Sequence, residues 1–182
     1  MTAIRPIERA DLERAAAVFD LMLGSGHGRP ERGLVEFFAG ALFEDPWADP
    51  EMPSLVAEDD HGKIVGVMTI SSRRMRLGQR PVRIAVCGNL AVTPEGQRRA
   101  IGVRLLQRAL EGPQDAAISD TASEVVRRMW IRLGGSTVPL SAIHWVRVFA
   151  PWRTGFEVGG VRLRRTRARR TLERVAGGLD RA

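Results

Sequence analysis

The chain has 182 residues, 44% of them hydrophobic and 27% charged, with a net charge of +7. That is about one domain with ample apolar material for a core, which excludes wholesale disorder, and no uncharged apolar run reaches the roughly 18 residues of a bilayer span. A single cysteine, Cys87, and three scattered histidines, His27, His61 and His144, exclude a disulfide framework and a thiolate- or histidine-rich zinc centre within one chain, so no metal is expected.

A short strand near Ala3–Ile7 is followed by a helical pattern from Arg9 to Leu23, with Leu12, Ala15, Ala16, Phe19 and Leu23 on one face. Glycines 24, 26 and 28 end it, and a second helix is predicted from Pro30 to Phe43, with proline in its first turn. Glu44–Pro53 carries three prolines and reads as a loop; its acids Glu44, Asp45, Asp49 and Glu51 either attract a cationic acceptor or are solvated. Three strands then succeed one another as an antiparallel meander. They are Ser54–Glu58, Lys63–Ser72 with Ile64, Gly66, Met68 and Ile70 on one face, and Val82–Val92. The turn Asp59–Gly62 separates the first two, and Arg73–Arg80 is read as the link to the third.

A helix from Ala100 to Glu111, a buried strand Ala116–Asp120 and a helix Ser123–Leu133 follow. Strands are predicted at Ala142–Phe149 and around Val161–Leu163, and a basic, helical tail over residues 164–182. The fold class is α/β, a single mixed, mostly antiparallel sheet with flanking helices, filling residues 1–163. The charge is unevenly placed. Residues 161–182 hold eight arginines against Glu173 and Asp180, so the body is almost neutral. The tail has no aromatic side chain to stack on bases, which disfavours nucleic acid as a partner and leaves a homodimer open. The N-terminus is charged from its fifth residue and lacks an apolar core, which predicts no secretory signal and a cytoplasmic protein.

The most informative stretch runs from Asn89 to Leu106. A hydrophobic strand ending in Leu90, Ala91 and Val92 turns at Pro94 into a short Arg-rich loop that opens an amphipathic helix. Main-chain N–H groups at a helix N-terminus, with the positive end of its dipole, form an anion site. Small residues Ala100 and Gly102 allow a phosphate to approach, and Arg98 and Arg99 add positive charge. A helix cap with a structural glycine is the plainer reading of the same residues.

This stretch resembles the acyl-CoA-binding signature of the GNAT N-acyltransferase superfamily, in which a strand ends in a Val-x-Pro-like turn before (Gln/Arg)-x-x-Gly-x-(Gly/Ala) and a Leu-Leu helix. Val92, Pro94, Gln97, Gly102, Leu105 and Leu106 match, and Ala100 stands at the first glycine position. The resemblance implies acetyl-CoA as acyl donor, held by Leu90, Ala91, Val92, Gln97, Arg98, Arg99, Ala100, Ile101, Gly102 and Val103. It implies direct transfer to a primary amine of a small molecule or peptide, with a main-chain N–H near Leu90–Val92 polarising the thioester. The segment from Ser119 through Gly135 is similar to the family's later strand–helix pair, whose tyrosine protonates the departing thiolate. Trp130 occupies that position and can only donate a hydrogen bond. The Val82–Leu90 strand has no carboxylate, so Asp120 is the candidate base, with an N-cap or Asx turn as its equal alternative. The rival function is a catalytically weak GNAT-fold module that binds CoA.

Overall fold

The computed structural model describes residues 2–120 and 122–139, and its compact unit Met1–Val138 contains the whole of the observed fold. The strands expected at 142–149 and 161–163, and the tail at 164–182, lie outside the described residues. Element order is β1 (Ala3–Pro6), a 3-10 turn (Arg9–Asp11), α1 (Leu12–Leu23), α2 (Arg32–Phe43), β2 (Leu55–Glu58), β3 (Ile64–Leu77), β4 (Arg80–Val92), α3 (Pro94–Arg98), α4 (Ile101–Leu110), β5 (Ala116–Ile118) and α5 (Glu124–Arg132). The sheet runs β1-β2-β3-β4-β5. Neighbours are antiparallel from β1 to β4, and β5 joins β4 in parallel through the α3–α4 crossover. This is the mixed, mostly antiparallel α/β sheet expected from the sequence.

Alternation along the strands divides the core between two faces. Leu55, Ala57, Val65, Met68, Ala85 and Cys87 pack against Ile101, Leu105 and Leu106 of α4. Val56, Ile64, Val67 and Ala91 pack against Ala15 and Val18 of α1. α1 also turns Leu12 and Ala16 toward Phe38 of α2, whose ring meets Phe19 edge-on at 5.2 Å. Ile64 and Met68, expected on one face, lie on opposite ones. A bulge lets Glu58 face Ile64 while Ala57 faces Gly66, and the extra residue Val65 shifts the alternation.

Other departures have equally local causes. Arg73–Arg80 is not a link: β3 continues to Leu77, and β4 starts at Arg80, across the turn Gly78-Gln79. Gly78 has φ +62°, which suits the first position of a two-residue hairpin turn. Pro30 lies outside α2, whose N-cap is Glu31. β5 is short, and its Ala116 and Ile118 are exposed rather than buried. The acids of residues 44–53 are occupied internally. Asp45 meets Arg73 at 3.0 Å, and Arg83 bridges Asp49 at 2.7 Å and Glu51 at 2.8 Å, which fastens this loop to the β3–β4 hairpin. At the opposite edge of the sheet, Arg5 ties Asp11 to Glu58, and Arg14 reaches Asp11 at 2.5 Å. Hydrogen bonding to Arg5, outweighing burial, holds the Asp11 carboxyl down at about 2.

Candidate active site

β4 and β5 pair only over three positions, Ile84–Val86 with Ala116–Ile118. Beyond them β4 runs on to Val92, whereas the other chain leaves the sheet toward α5. The strands therefore splay, and a cleft of about 240 Å³ opens between Cys87–Leu90 on one side and Ser119, Ala122, Ser123, Val126 and Trp130 on the other. Met68 and Leu106 form its floor, and Leu23 of α1 reaches its wall.

The β4 edge is distorted here. Thr69 pairs with Gly88 and Val67 with Ala91, so Asn89 and Leu90 together face Met68 in a bulge. Asn89 takes φ +45°. A bulge leaves main-chain groups out of the ladder, so this is where the strand can offer N–H and C=O groups to an incoming extended molecule. Leu90 is half-buried, whereas Ala91 and Val92 are buried in the two cores.

The following turn is fixed from within. Thr93 is the N-cap of α3, its hydroxyl accepting from the Gly96 N–H at 3.2 Å and donating to the Val65 carbonyl at 3.2 Å. Gln97 donates from Nε2 to the Val92 carbonyl at 2.9 Å, which binds the loop back onto the strand end. Arg98 is exposed and makes no ion pair among the described residues, while Arg99 sits 3.4 Å from Glu95. Ala100 is the N-cap of α4 in a left-handed conformation, φ +54° and ψ +30°, and has no side chain with which to cap. The first-turn N–H groups of Ile101, Gly102 and Val103 therefore have no capping side chain, the arrangement an anion's oxygens satisfy. Ile101 is wholly buried, Val103 half-exposed.

Two small residues here, Ala100 and Gly102, differ from expectation. Ala100 was expected to sit in the helix, where alanine is comfortable, yet its backbone is left-handed and favours glycine. At Gly102 a Cβ would contact Val92 at 3.6 Å, Met129 at 3.7 Å and Leu90 at 3.8 Å, so this glycine also packs α4 against β4 and α5.

The N-cap of α5 is Ser123, accepting from the Val126 N–H at 3.5 Å, so that role does not fall to Asp120. Asp120 is exposed and is not part of the cleft lining, although its neighbour Ser119 is. Trp130 does line the cleft, and its Nε1 is buried without a hydrogen-bond partner among the described residues. A buried donor left unpaired is costly, and a ligand oxygen or sulfur in the cleft would satisfy it. Burial raises the Cys87 thiol to about 11, so it is no nucleophile near neutral pH. Leu23, Ser119, Ser123, Val126 and above all Asn89 line the cleft without being expected there from the sequence. For Asn89 a signal existed: a polar residue that tolerates left-handed backbone, inside an apolar strand.

Residues 3–119 match the family model described as an acetyltransferase (GNAT) domain. The chain belongs to the GNAT acetyltransferase superfamily. No curated protein matches it by sequence. Among solved structures, glucosamine-6-phosphate N-acetyltransferase from Arabidopsis thaliana superposes with TM-score 0.59 at 14% identity, covering 82% of this chain and 99% of that one. Aminoglycoside 6'-N-acetyltransferase from Acinetobacter baumannii gives 0.56 at 18% identity, covering 81% and 97%. An aminoglycoside N-acetyltransferase solved in complex with CoA gives 0.59 at 18% identity, covering 81% and 95%. No helix among the described residues is long and apolar enough to cross a membrane, and no group of three potential metal ligands occurs among them.

Proposed function

We propose that this protein transfers an acetyl group from acetyl-CoA directly to a primary amine of a small molecule or peptide, in the cytoplasm. The observation that carries this reading is the cleft itself: an unpaired, bulged β4 edge facing an orphaned indole N–H, beside an uncapped helix N-terminus. The pyrophosphate fits the first turn of α4, with Ile101–Val103 N–H groups as donors and Arg98 and Arg99 as surrounding charge. The pantetheine arm fits the β4 edge at Leu90–Val92, where a main-chain N–H polarises the thioester carbonyl.

The amine nitrogen bonds to that carbonyl carbon, and the C–S bond breaks. Trp130 donates its N–H to the departing sulfur but keeps its proton, because an indole is not an acid near neutral pH. A thiolate is a tolerable leaving group without an acid, since its conjugate thiol has a pKa of about 8.5. Asp120, outside the cleft lining, is the base that takes the proton of a solvated acceptor ammonium through a water before the amine enters neutral. The acetyltransferase domain extends to about residue 163, and the Arg-rich remainder is an appendage.

Isothermal titration of the full chain with acetyl-CoA, followed by CoA release across a panel of primary amines, tests this. Binding with turnover supports it, and absence of binding at high micromolar acetyl-CoA refutes it. The replacement of the family's tyrosine by Trp130 and the uncharged cleft lining favour one rival, a CoA-binding module with little catalysis. Binding without CoA release from any amine would select that rival.

A further inference from the structure

Asn89 differs from every other residue lining the cleft. It is one of two non-glycine residues with positive φ among those described, at +45°. It sits in the bulge where pairing skips from Gly88 to Ala91. Its carboxamide is exposed at the cleft and has no hydrogen-bond partner among the described residues. Asparagine tolerates this backbone better than most residues, but a bulge needing only the conformation would be better served by glycine. The side chain therefore needs a reason of its own.

The surroundings narrow what it can bind. Around Asn89 the described lining is apolar, from Met68, Leu90, Val126 and Trp130, with hydroxyls from Ser119 and Ser123. Cys87 is the one titratable group in that lining, and its thiol stays protonated near neutral pH. Acids close in sequence or space are engaged or turned elsewhere. Glu124 at the start of α5 is held by Arg127 at 2.8 Å, and Asp45, Asp49 and Glu51 are held by Arg73 and Arg83. Asp120 stands outside the lining. An ammonium entering here would lose its hydration without meeting a counter-charge, whereas a neutral amine would lose little.

We propose that the Asn89 carboxamide is the acceptor-binding group of this cleft, and that the acceptor enters as an uncharged, weakly basic amine. The proposal rests on the acetyl-transfer reading above and narrows its substrate class. The Asn89 Oδ1 accepts one amine N–H and leaves the nitrogen lone pair for the thioester carbon. The N–C bond forms as the C–S bond breaks, and the nitrogen's surplus proton passes to the leaving sulfur. The products are an acetamide and CoA thiol, with no net proton exchanged.

The test uses the full chain with saturating acetyl-CoA and two acceptor sets of matched size, arylamines and alkylamines, followed by CoA release between about pH 6 and 9. The wild type is expected to favour arylamines, and its kcat/KM for alkylamines to rise about tenfold per pH unit, tracking the neutral fraction. Asn89→Gly keeps the left-handed backbone and removes the carboxamide, so acceptor KM should rise at least about tenfold while acetyl-CoA Kd stays unchanged. Asn89→Asp adds a counter-charge and a base, and should flatten the alkylamine pH profile. An unchanged acetyl-CoA Kd certifies that each variant is folded. Wild-type acceptor KM in Asn89→Gly overturns the proposal, as does a flat wild-type profile that favours alkylamines; both leave acetyl transfer standing. No CoA release from any amine overturns acetyl transfer and this proposal together.

Discussion

Gly96 gives the sharpest test of how the donor loop is held. A Cβ on Gly96 would lie 2.8 Å from the Val65 carbonyl oxygen and 2.8 Å from Val92 Cγ1. Neither can yield easily, because Val65 and Val92 are buried strand residues and that carbonyl already receives Thr93 N at 3.0 Å and its hydroxyl at 3.2 Å. Gly96→Ala must push α3 off the strand ends, and overpacking of this kind costs about 1–3 kcal/mol. Alanine returns at most about 1 kcal/mol of helix propensity, so the net loss is roughly 1–2 kcal/mol. Gly40→Ala in α2 isolates the propensity, since nothing lies within 4 Å of its Cβ position. That variant should gain about 0.5–1 kcal/mol. Urea titration reads both signs directly, and at this chain length 1 kcal/mol moves Tm by about 2–4 °C. Acetyl-CoA Kd should weaken for Gly96→Ala alone, because Gln97–Gly102 rides on α3. A Gly96→Ala protein as stable as the wild type would refute the claim that α3 is clamped.

Three further outcomes are expected. Ala100→Gly relieves left-handed strain of about 1–2 kcal/mol against about 0.4–1 kcal/mol of added unfolded-state entropy. It should therefore raise stability by about 0.5–1 kcal/mol in denaturant titration with acetyl-CoA binding retained. Asp11→Ala leaves Arg5, Arg14 and the Glu8 N–H without their shared acceptor, and should cost about 2–3 kcal/mol at pH 7. Because the Asp11 carboxyl is depressed to about 2, its contribution is complete above the unfolded value near about 3.9. The gap between wild type and variant should then close as pH falls from about 4 toward 2. Finally, Trp130→Phe removes a donor unpaired in the unliganded protein, so stability should hold within about 1 kcal/mol while kcat drops about 5- to 100-fold. Trp130→Tyr should recover turnover relative to Trp130→Phe, and an unchanged kcat in Trp130→Phe would remove the indole from the mechanism.

Much of the fold was legible because its signals are local. The period of α1, the Asp59–Gly62 turn, the helix over 124–132 and the Val92–Leu106 motif all depend on residues near one another in the chain. The extent of β3 and β4 was not, because an Arg-rich stretch such as Arg73–Arg76 is strand only when a partner strand and the acids of residues 44–53 receive it. The burial of β5 was overestimated for a related reason: apolar composition shows affinity for a core but not position at an edge.

The sequence by itself determined the order of the longer elements from β1 to α5, the mixed sheet, the family and the stretch where an anion meets a helix N-terminus. The elements and the anion site follow from periodicity and turn chemistry, and the family from the resemblance of the Asn89–Leu106 segment to the GNAT signature. Only the tertiary structure decided which groups meet across the splay of β4 and β5. It put Trp130 in the wall and Asp120 outside it, engaged the loop carboxylates with arginines, and set Asn89 on the cleft through a bulge. The physical reason is that a cleft between diverging strands is made by residues some thirty to forty positions apart. Their proximity depends on register and bulges, and a one-residue shift in either reverses the face each side chain presents.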